Sequence, residues 1–217
     1  MNNIEKSSTA YPVTIGSEKI ACILTASGFS TRFGSNKLLA LLDGKPVFSY
    51  VLNAVTSVTF HSITVLTRFR EVEALCGNTP ATVLLHDLSR KNETISLGVN
   101  HVLACQNPPQ GIMFIPCDQP LLKSDTICKL INEFSVSKEK IVRPEHKGIP
   151  SSPVIFPEKY YRELLHLPTD KGGSFVIKNN PSAVICVTVA DCYELTDIDT
   201  PEDLRILEEY LRQNPRF

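Results

Sequence analysis

Several common classes of protein are excluded by what this 217-residue chain does not contain. Its seven cysteines, at Cys22, Cys76, Cys105, Cys117, Cys128, Cys186 and Cys192, form no C-x-x-C pair and have no histidines at matching spacing. Neither a zinc site nor a disulfide framework is expected, and reduced thiols in a cytoplasm fit best. A formal net charge of −1 offers no electrostatic case for a polyanion, so no nucleic acid partner is expected. Met1 to Glu18 mix Asn, Glu, Lys, Ser and Pro without an apolar run, so that stretch is expected to be neither a signal peptide nor a membrane span. No membrane partner is expected either. The dinucleotide fingerprint G-x-G-x-x-G is missing. A P-loop is missing too: Gly34 is followed by Ser35-Asn36-Lys37-Leu38, which displaces the lysine and omits the hydroxyl that would meet Mg²⁺. There is no internal repeat and no linker that divides the chain.

What is present has a globular composition, 42% apolar and 21% charged. Residues 1–18 read as a polar leader without fixed structure, and residues 19–217 as a single domain large enough to bury a sizeable core. The most informative stretch leaves the apolar run Ile20-Ala21-Cys22-Ile23-Leu24 and continues as Gly28-Phe29-Ser30-Thr31-Arg32-Phe33-Gly34-Ser35-Asn36-Lys37. Glycine lets backbone N–H groups approach an anion and the two cations neutralise its oxygens, so the pattern suits a phosphate cradle; an ordinary surface turn uses the same residues.

Downstream, the apolar periodicity alternates between strand and helix. Asp43-Gly44-Lys45-Pro46 is a turn ahead of a helix whose buried face is Val47, Phe48, Val51, Leu52 and Val55. Ser62 to Thr67 is a β-branched strand, followed by a helix near Glu71 to Cys76 and a strand from Ala81 to Leu85. Thr94 is expected to cap a helix with Ile95, Val99, Val102 and Leu103 on one face. Gly111 to Ile115 forms a strand ending in Pro116-Cys117-Asp118-Gln119-Pro120, and Ser124 or Asp125 caps a helix burying Ile127, Leu130, Ile131 and Phe134. Residues 143–157 carry Pro144, Pro150, Pro153 and Pro157 around Gly148 and are expected to be a long irregular loop that grips a second substrate. A helix near Glu158 to Leu167, a loop Thr169 to Gly173, a strand Ala183 to Val189 and a last helix through Leu204, Leu207 and Leu211 complete the pattern. This rhythm implies βαβ units and a mostly parallel sheet with helices on both faces.

Ligands of open α/β sheets bind beyond the carboxyl ends of the strands. Three polar clusters follow strands here: the Gly28 to Lys37 loop, Asp118-Gln119-Pro120, and Asp197-Ile198-Asp199. Magnesium takes one or two carboxylates together with water and phosphate oxygens, so strand-end aspartates facing a basic loop would suit it; turn formation and helix capping are the ordinary alternatives for each.

These residues resemble a known family. Ala26-Ser27-Gly28-Phe29-Ser30-Thr31-Arg32-Phe33-Gly34-Ser35-Asn36-Lys37 followed by Gly44-Lys45-Pro46 is similar to the nucleotidyltransferase opening L-A-A-G-x-S-x-R-F-G-x-x-K with a later G-K-P. Cys117-Asp118-Gln119-Pro120-Leu121-Leu122 resembles G-D-Q-P-L-L, and Asp197 to Leu204 resembles the D-I-D-T-P-E-D-L ending, of the molybdenum cofactor cytidylyltransferase (MobA/MocA-type) branch. Gly148, Pro153-Val154-Ile155-Phe156 and Asp170-Lys171-Gly172-Gly173 resemble that branch's intervening elements, and Asn92 to Gly98 occupies the place of its base-binding segment. The resemblance spans about residues 20 to 212. The chain departs from the pattern at Thr25 and Ser27, where it reads T-A-S-G, at Cys117 in place of glycine, and at Ser152, where many relatives carry histidine.

The resemblance implies a three-layer α/β/α sandwich of the Rossmann-related, GT-A-like kind. It also implies Mg-dependent transfer of CMP from CTP to molybdopterin, with a molybdenum hydroxylase as recipient of the product. On that basis Arg32 and Lys37 are the expected catalytic cations, and Asp118 and Asp199 the metal ligands with Asp197 as a second candidate. Ala26, Ser27, Gly28, Phe29, Ser30, Thr31, Thr94 and Pro116 are expected to bind nucleotide, and Gly148, Ser152 and Pro153 the acceptor. GMP transfer, cytidylyl transfer to another phosphorylated small molecule, and a non-catalytic cofactor-delivery protein are the alternatives.

Overall fold

The structure is a computed structural model and describes residues 16–214, so all of the expected leader except its last three residues lies outside the described residues. Ser17–Lys19 forms a 3-10 turn with Ser17 buried. Ten strands follow: β1 Ile20–Ala26, β2 Leu41–Leu42, β3 Lys45–Pro46, β4 Ser62–Thr67, β5 Thr82–Leu85, β6 Gly111–Pro116, β7 Ile141–His146, β8 Ile149–Pro150, β9 Val154–Pro157 and β10 Val184–Thr188. The α-helices are α1 Val47–Thr56, α2 Arg70–Leu75, α3 Lys91–Leu103, α4 Ser124–Val136, α5 Tyr161–Leu165, α6 Gly173–Asn179 and α7 Pro201–Gln213.

Alternation along the strands builds the layers. Cys22, Leu24 and Ala26 of β1 join Phe48 and Val51 of α1 and Ile127, Leu130 and Ile131 of α4 in one cluster. Ala21 and Ile23 face the other way, toward Val99 of α3, Leu164 of α5 and Val176 of α6. Helices thus cover both faces of the sheet, as the βαβ rhythm implied. Every apolar residue assigned to the buried faces of α1 and α4 from the sequence is buried. Gly98 lets α3 close onto the sheet, because a Cβ there would lie 2.8 Å from Leu66 Cδ1.

The main sheet has the order β10-β7-β9-β6-β1-β4-β5, with β8 pairing to β7. β6, β1, β4 and β5 run parallel, while β9 is antiparallel to both β6 and β7. In this register Ala26 lies beside Thr67, Thr67 beside Leu85, and Thr25 beside Pro116. The loops beginning at Ser27, Arg68, His86 and Cys117 therefore emerge along one edge.

Residues 143–157 are not one irregular loop. They contain the end of β7, the β7–β8 hairpin and β9, with Pro144, Pro153 and Pro157 buried. The hairpin turns on Lys147 and Gly148, both at positive φ (50° and 80°), which lets a two-residue loop match the twist of its strands. Pro144 is tolerated inside a sheet for a local reason. Its carbonyl accepts the Ser151 N–H (2.9 Å), so its nitrogen faces the same side, where the ladder between β7 and β9 amounts to the single pair Val142 and Ile155. Two caps also differ from expectation. Thr94 lies inside the first turn of α3 rather than capping it, since the helix starts at Lys91 after Arg90, and its Oγ1 donates back to the Arg90 carbonyl (3.2 Å). The residue preceding α4 is Lys123, with Ser124 already helical. Gly172-Gly173 leads directly into α6, and Asp197 is separated from β10 by a 3-10 turn, Cys192–Leu195.

Candidate active site

The Gly28 loop is shaped by its own hydrogen bonds. Ser30 takes a left-handed φ of 52° and its carbonyl accepts the N–H groups of Phe33 and Gly34. Its Oγ accepts from the Lys37 N–H (3.3 Å). Asn36 Oδ1 then caps a 3-10 turn, Lys37–Leu39, by accepting from Leu38 N–H (3.1 Å). Leu38 is buried in the core and anchors the turn, which leaves the Lys37 side chain in the angle between the ends of β1 and β6.

Two carboxylates meet it there. Lys37 Nζ lies 2.6 Å from Asp118 Oδ2 and 2.9 Å from Asp199 Oδ1, and Arg32 Nη2 donates to Asp199 Oδ2 at 2.7 Å. Asp118 stands one residue beyond the end of β6, after Cys117. Its carbonyl accepts the N–H of Ile198 (2.8 Å), a buried residue packed with Leu42, Leu121 and Leu207, and this bond brings the 197–199 segment to the strand end. Asp203 Oδ2 accepts from the N–H groups of Asp199 (3.0 Å) and Thr200 (2.7 Å), completing a capping box at the start of α7 and pinning the Asp199 backbone.

The charges shape one another. Burial works against the Lys37 ammonium, but Asp118 and Asp199 outweigh it and hold its pKa above the ordinary lysine value. The hydrogen bond from Lys37, helped by Arg32, holds Asp199 below the usual carboxylate range. Asp197 is pushed up to about 6, first by desolvation and then by the like charge of Asp118, while a hydrogen bond donated by Gln119 Nε2 (2.8 Å) opposes the rise. Exposure grades across the corner: the Lys37 side chain is 11% accessible and that of Arg32 69%, so the lysine is confined while the arginine stands in solvent at the mouth, held by Asp199.

A cleft of about 570 Å³ opens above this corner. Ser27, Gly28, Phe29, Ser30, Thr31, Arg32, Lys37, Thr94, Pro116, Asp118 and Asp199 all line it. Ala26 lies beneath, 1% exposed, with its carbonyl accepting from Thr67 Oγ1 (3.1 Å). Gly148, Ser152 and Pro153 are not among the cleft-lining residues. Their neighbour Ser151 does reach the corner, because Gln119 Nε2 contacts both Ser151 Oγ (3.3 Å) and Asp197 Oδ1. Sequence reasoning missed Arg68, Ser89, Arg90 and Lys91, which line the opposite wall. Arg68 directly follows β4, so the strand-end rule applied to all four parallel strands would have found it.

The donor set fits a hard divalent cation. Asp118 Oδ1 is buried without a hydrogen-bond partner, and a second carboxylate, Asp199, shares the same ammonium. Two carboxylates completed by water and phosphate oxygens are what magnesium commonly takes. Among the described residues no group of three or more His, Cys, Asp or Glu side chains is arranged as an all-protein metal cage.

Comparison with known proteins places this geometry. The chain is 25% identical over 193 residues to the purine catabolism protein PucB of Bacillus subtilis, covering 83% of this chain and 92% of that protein. It superposes on the crystal structure of Rv0371c from Mycobacterium tuberculosis with a TM-score of 0.74 at 22% identity, over 88% of this chain and 98% of the other. A further structure of Rv0371c is a complex with manganese. A nucleotidyl transferase from Methanothermobacter, Mth528, also gives a TM-score of 0.74, at 20% identity over 90% and 99% of the two chains. These neighbours share the mostly parallel, GT-A-like sheet flanked by helices. The MobA-like NTP transferase domain matches residues 21–184, from the second residue of β1 to the first of β10, taking in the Gly28 loop and Asp118. Over that span the chain belongs to the MobA-like NTP transferase domain family of nucleotidyltransferases.

Proposed function

We propose that the protein transfers CMP from CTP to the terminal phosphate of molybdopterin and releases pyrophosphate. One observation carries the reading: Lys37 joins Asp118 and Asp199 at the foot of a cleft whose wall is the Gly28 loop. The cytidylyltransferase-like stretches around Asp118 and Asp199 support CTP as donor. The purine-catabolism name of the Bacillus relative fits a molybdenum hydroxylase as recipient of the finished cofactor.

In this reaction an acceptor phosphate oxygen forms a bond to the α-phosphorus while the bond from that phosphorus to the pyrophosphate oxygen breaks. The nucleophile is already an anion, so the chain needs no general base. It must bring two polyanions together and stabilise charge on the leaving group. Arg32, tied by its contact to Asp199 at the cleft mouth, can turn its planar fork to the triphosphate. Lys37 is confined and acts as a point charge near the reacting phosphate. Gly28, Phe29, Ser30 and Thr31 of the loop line the cleft, where their backbone would hold the triphosphate, and Thr94 and the adjacent backbone stand where the base edge would be read. Asp118 and Asp199 would hold magnesium, which when bound neutralises phosphate charge and orients the triphosphate.

The test is incubation with CTP or GTP, Mg²⁺ and molybdopterin, with products identified by mass. A cytosine dinucleotide of the pterin formed in step with pyrophosphate is the expected result. A guanine product would reassign the donor, and nucleotide binding without pyrophosphate release would overturn catalysis in favour of cofactor delivery.

A further inference from the structure

Arg68 and His86 lie in none of the stretches that resemble the family, yet they stand at the carboxyl ends of β4, which pairs with β1, and of β5, which pairs with β4. We propose that they are positioning residues, which tie the ends of β1, β4 and β5 together through Ser27 and so hold the Gly28 loop at the spacing a nucleoside triphosphate requires. The inference rests on the nucleotide reading of the cleft.

Arg68 makes three contacts, two to the cleft-lining residues Ser27 and Phe29 and one to Leu88 beside the cleft. Its Nε–H donates to the Ser27 carbonyl at 3.0 Å, an Nη2–H donates to the Leu88 carbonyl, and the guanidinium stacks 3.9 Å from the centroid of the Phe29 ring. The first contact holds the loop after β1, and the second holds the segment leading from β5 to α3. The third pins an aromatic side chain that is otherwise 58% exposed at the cleft. Planar, multi-point contact of this kind suits arginine and cannot be reproduced by a lysine ammonium.

His86 completes the arrangement. Its N–H donates to the Thr67 carbonyl (2.9 Å), continuing the ladder beyond β5. Its Nδ1 accepts from the Leu88 N–H (3.2 Å), which assigns the proton of the neutral ring to Nε2. Nε2–H then donates to Ser27 Oγ at 2.7 Å, and Ser27 Oγ–H donates onward to the Leu66 carbonyl at 2.9 Å. Every group in this relay has one consistent role. Desolvation, and then the charge of Arg68, hold the imidazole below its ordinary pKa, so the neutral ring persists at neutral pH. Ser27 stands where the related pattern carries alanine, and an alanine would leave His86 Nε2–H nothing to donate to on this loop.

The test is a double-mutant cycle on the full chain, reading the Kd of CTP and GTP in Mg²⁺ by calorimetry, with Tm measured for each variant. Ser27→Ala removes only a hydroxyl and keeps the fold testable. Ser27→Ala and His86→Ala should each weaken nucleotide binding about ten-fold, and the double variant should be no weaker than either single, because both break one link. Arg68→Ala should cost about thirty-fold and Arg68→Lys should restore little of it. His86→Asn, which retains an N–H donor, should restore part of the His86→Ala loss. Additive losses in the cycle, or variants within two-fold of the parent, would overturn the inference while leaving nucleotide binding established. A parent protein that binds neither nucleotide would overturn the reading of the cleft, and the inference with it.

Discussion

The two ends of the cleft hold their shape by different means. At one end Lys37, Arg32, Asp118 and Asp199 are linked by three ion pairs between charged groups. At the other, Arg68 and His86 satisfy backbone carbonyls, a hydroxyl and an aromatic ring. Contacts of the first kind can be exchanged: phosphate oxygens can replace carboxylate oxygens around the cations, and the carboxylates can turn to a metal. Contacts of the second kind have no substitute in a substrate, and they set the distance between loops. The lesson is that the charged end is assembled from side chains that compensate one another, while the fixed end is assembled from neighbours in the sheet.

The largest expected effect comes from breaking the charged end at its least exchangeable member. Asp118→Ala should lower pyrophosphate release by about a thousand-fold with little change in Tm, because under the proposed function it removes a metal-holding carboxylate rather than a packing group. A variant turning over at near-parental rate would remove Asp118 from the metal site. Arg32→Lys should follow, with kcat/KM down about ten-fold and the loss concentrated in the nucleotide KM, since a point charge replaces a fork. Equal kinetics for the two proteins would make Arg32 a surface ion pair only.

Smaller effects separate support from chemistry. Asp203→Ala removes the capping box and the tether on the Asp199 backbone, and should cost about 1 kcal/mol of stability in denaturant melts. It should also lower turnover less than either change above. The smallest effect is a pH dependence that His86 adds at the fixed end. The folded pKa of His86 lies below the ordinary histidine value of 6.5, so the unfolded chain takes up its proton first as pH falls. The stability this group supports is fully present above pH 6.5 and is lost as pH falls from 6.5 through the depressed value. His86→Asn should flatten that part of a Tm-against-pH curve, and an unchanged slope would show that the imidazole is not held neutral by its surroundings.

Local pattern made much of this legible before any coordinates. The β-branched run Ser62 to Thr67 is β4 residue for residue, and the helical spacing of Val47, Phe48, Val51, Leu52 and Val55 marks the buried side of α1. Both are short-range signals, set by which side chains must leave water together. Residues 143–157 form strands despite their prolines because proline content is a local signal, whereas the tolerance of Pro144 depends on how far the β7–β9 ladder extends. Thr94 lies inside α3 and not at its cap because apolar spacing marks the buried face of the helix but not its polar first turn. Arg68 stands where the strand-end rule looks, yet what it and His86 do has no local signal. A single arginine after a strand and a single histidine before a polar stretch carry no periodicity, and their roles exist only once β1, β4 and β5 lie side by side.

The sequence by itself determined the alternation of strands and helices, the parallel βαβ rhythm, and the glycine, cation and carboxylate stretches that mark a nucleotidyltransferase, because each is written in neighbouring residues. Tertiary structure alone decided that residues 118 and 199 share one ammonium, that β9 runs against its neighbours, and that Ser27 is tied to His86. Those outcomes depend on sheet order and register, which are contacts between segments distant in the chain.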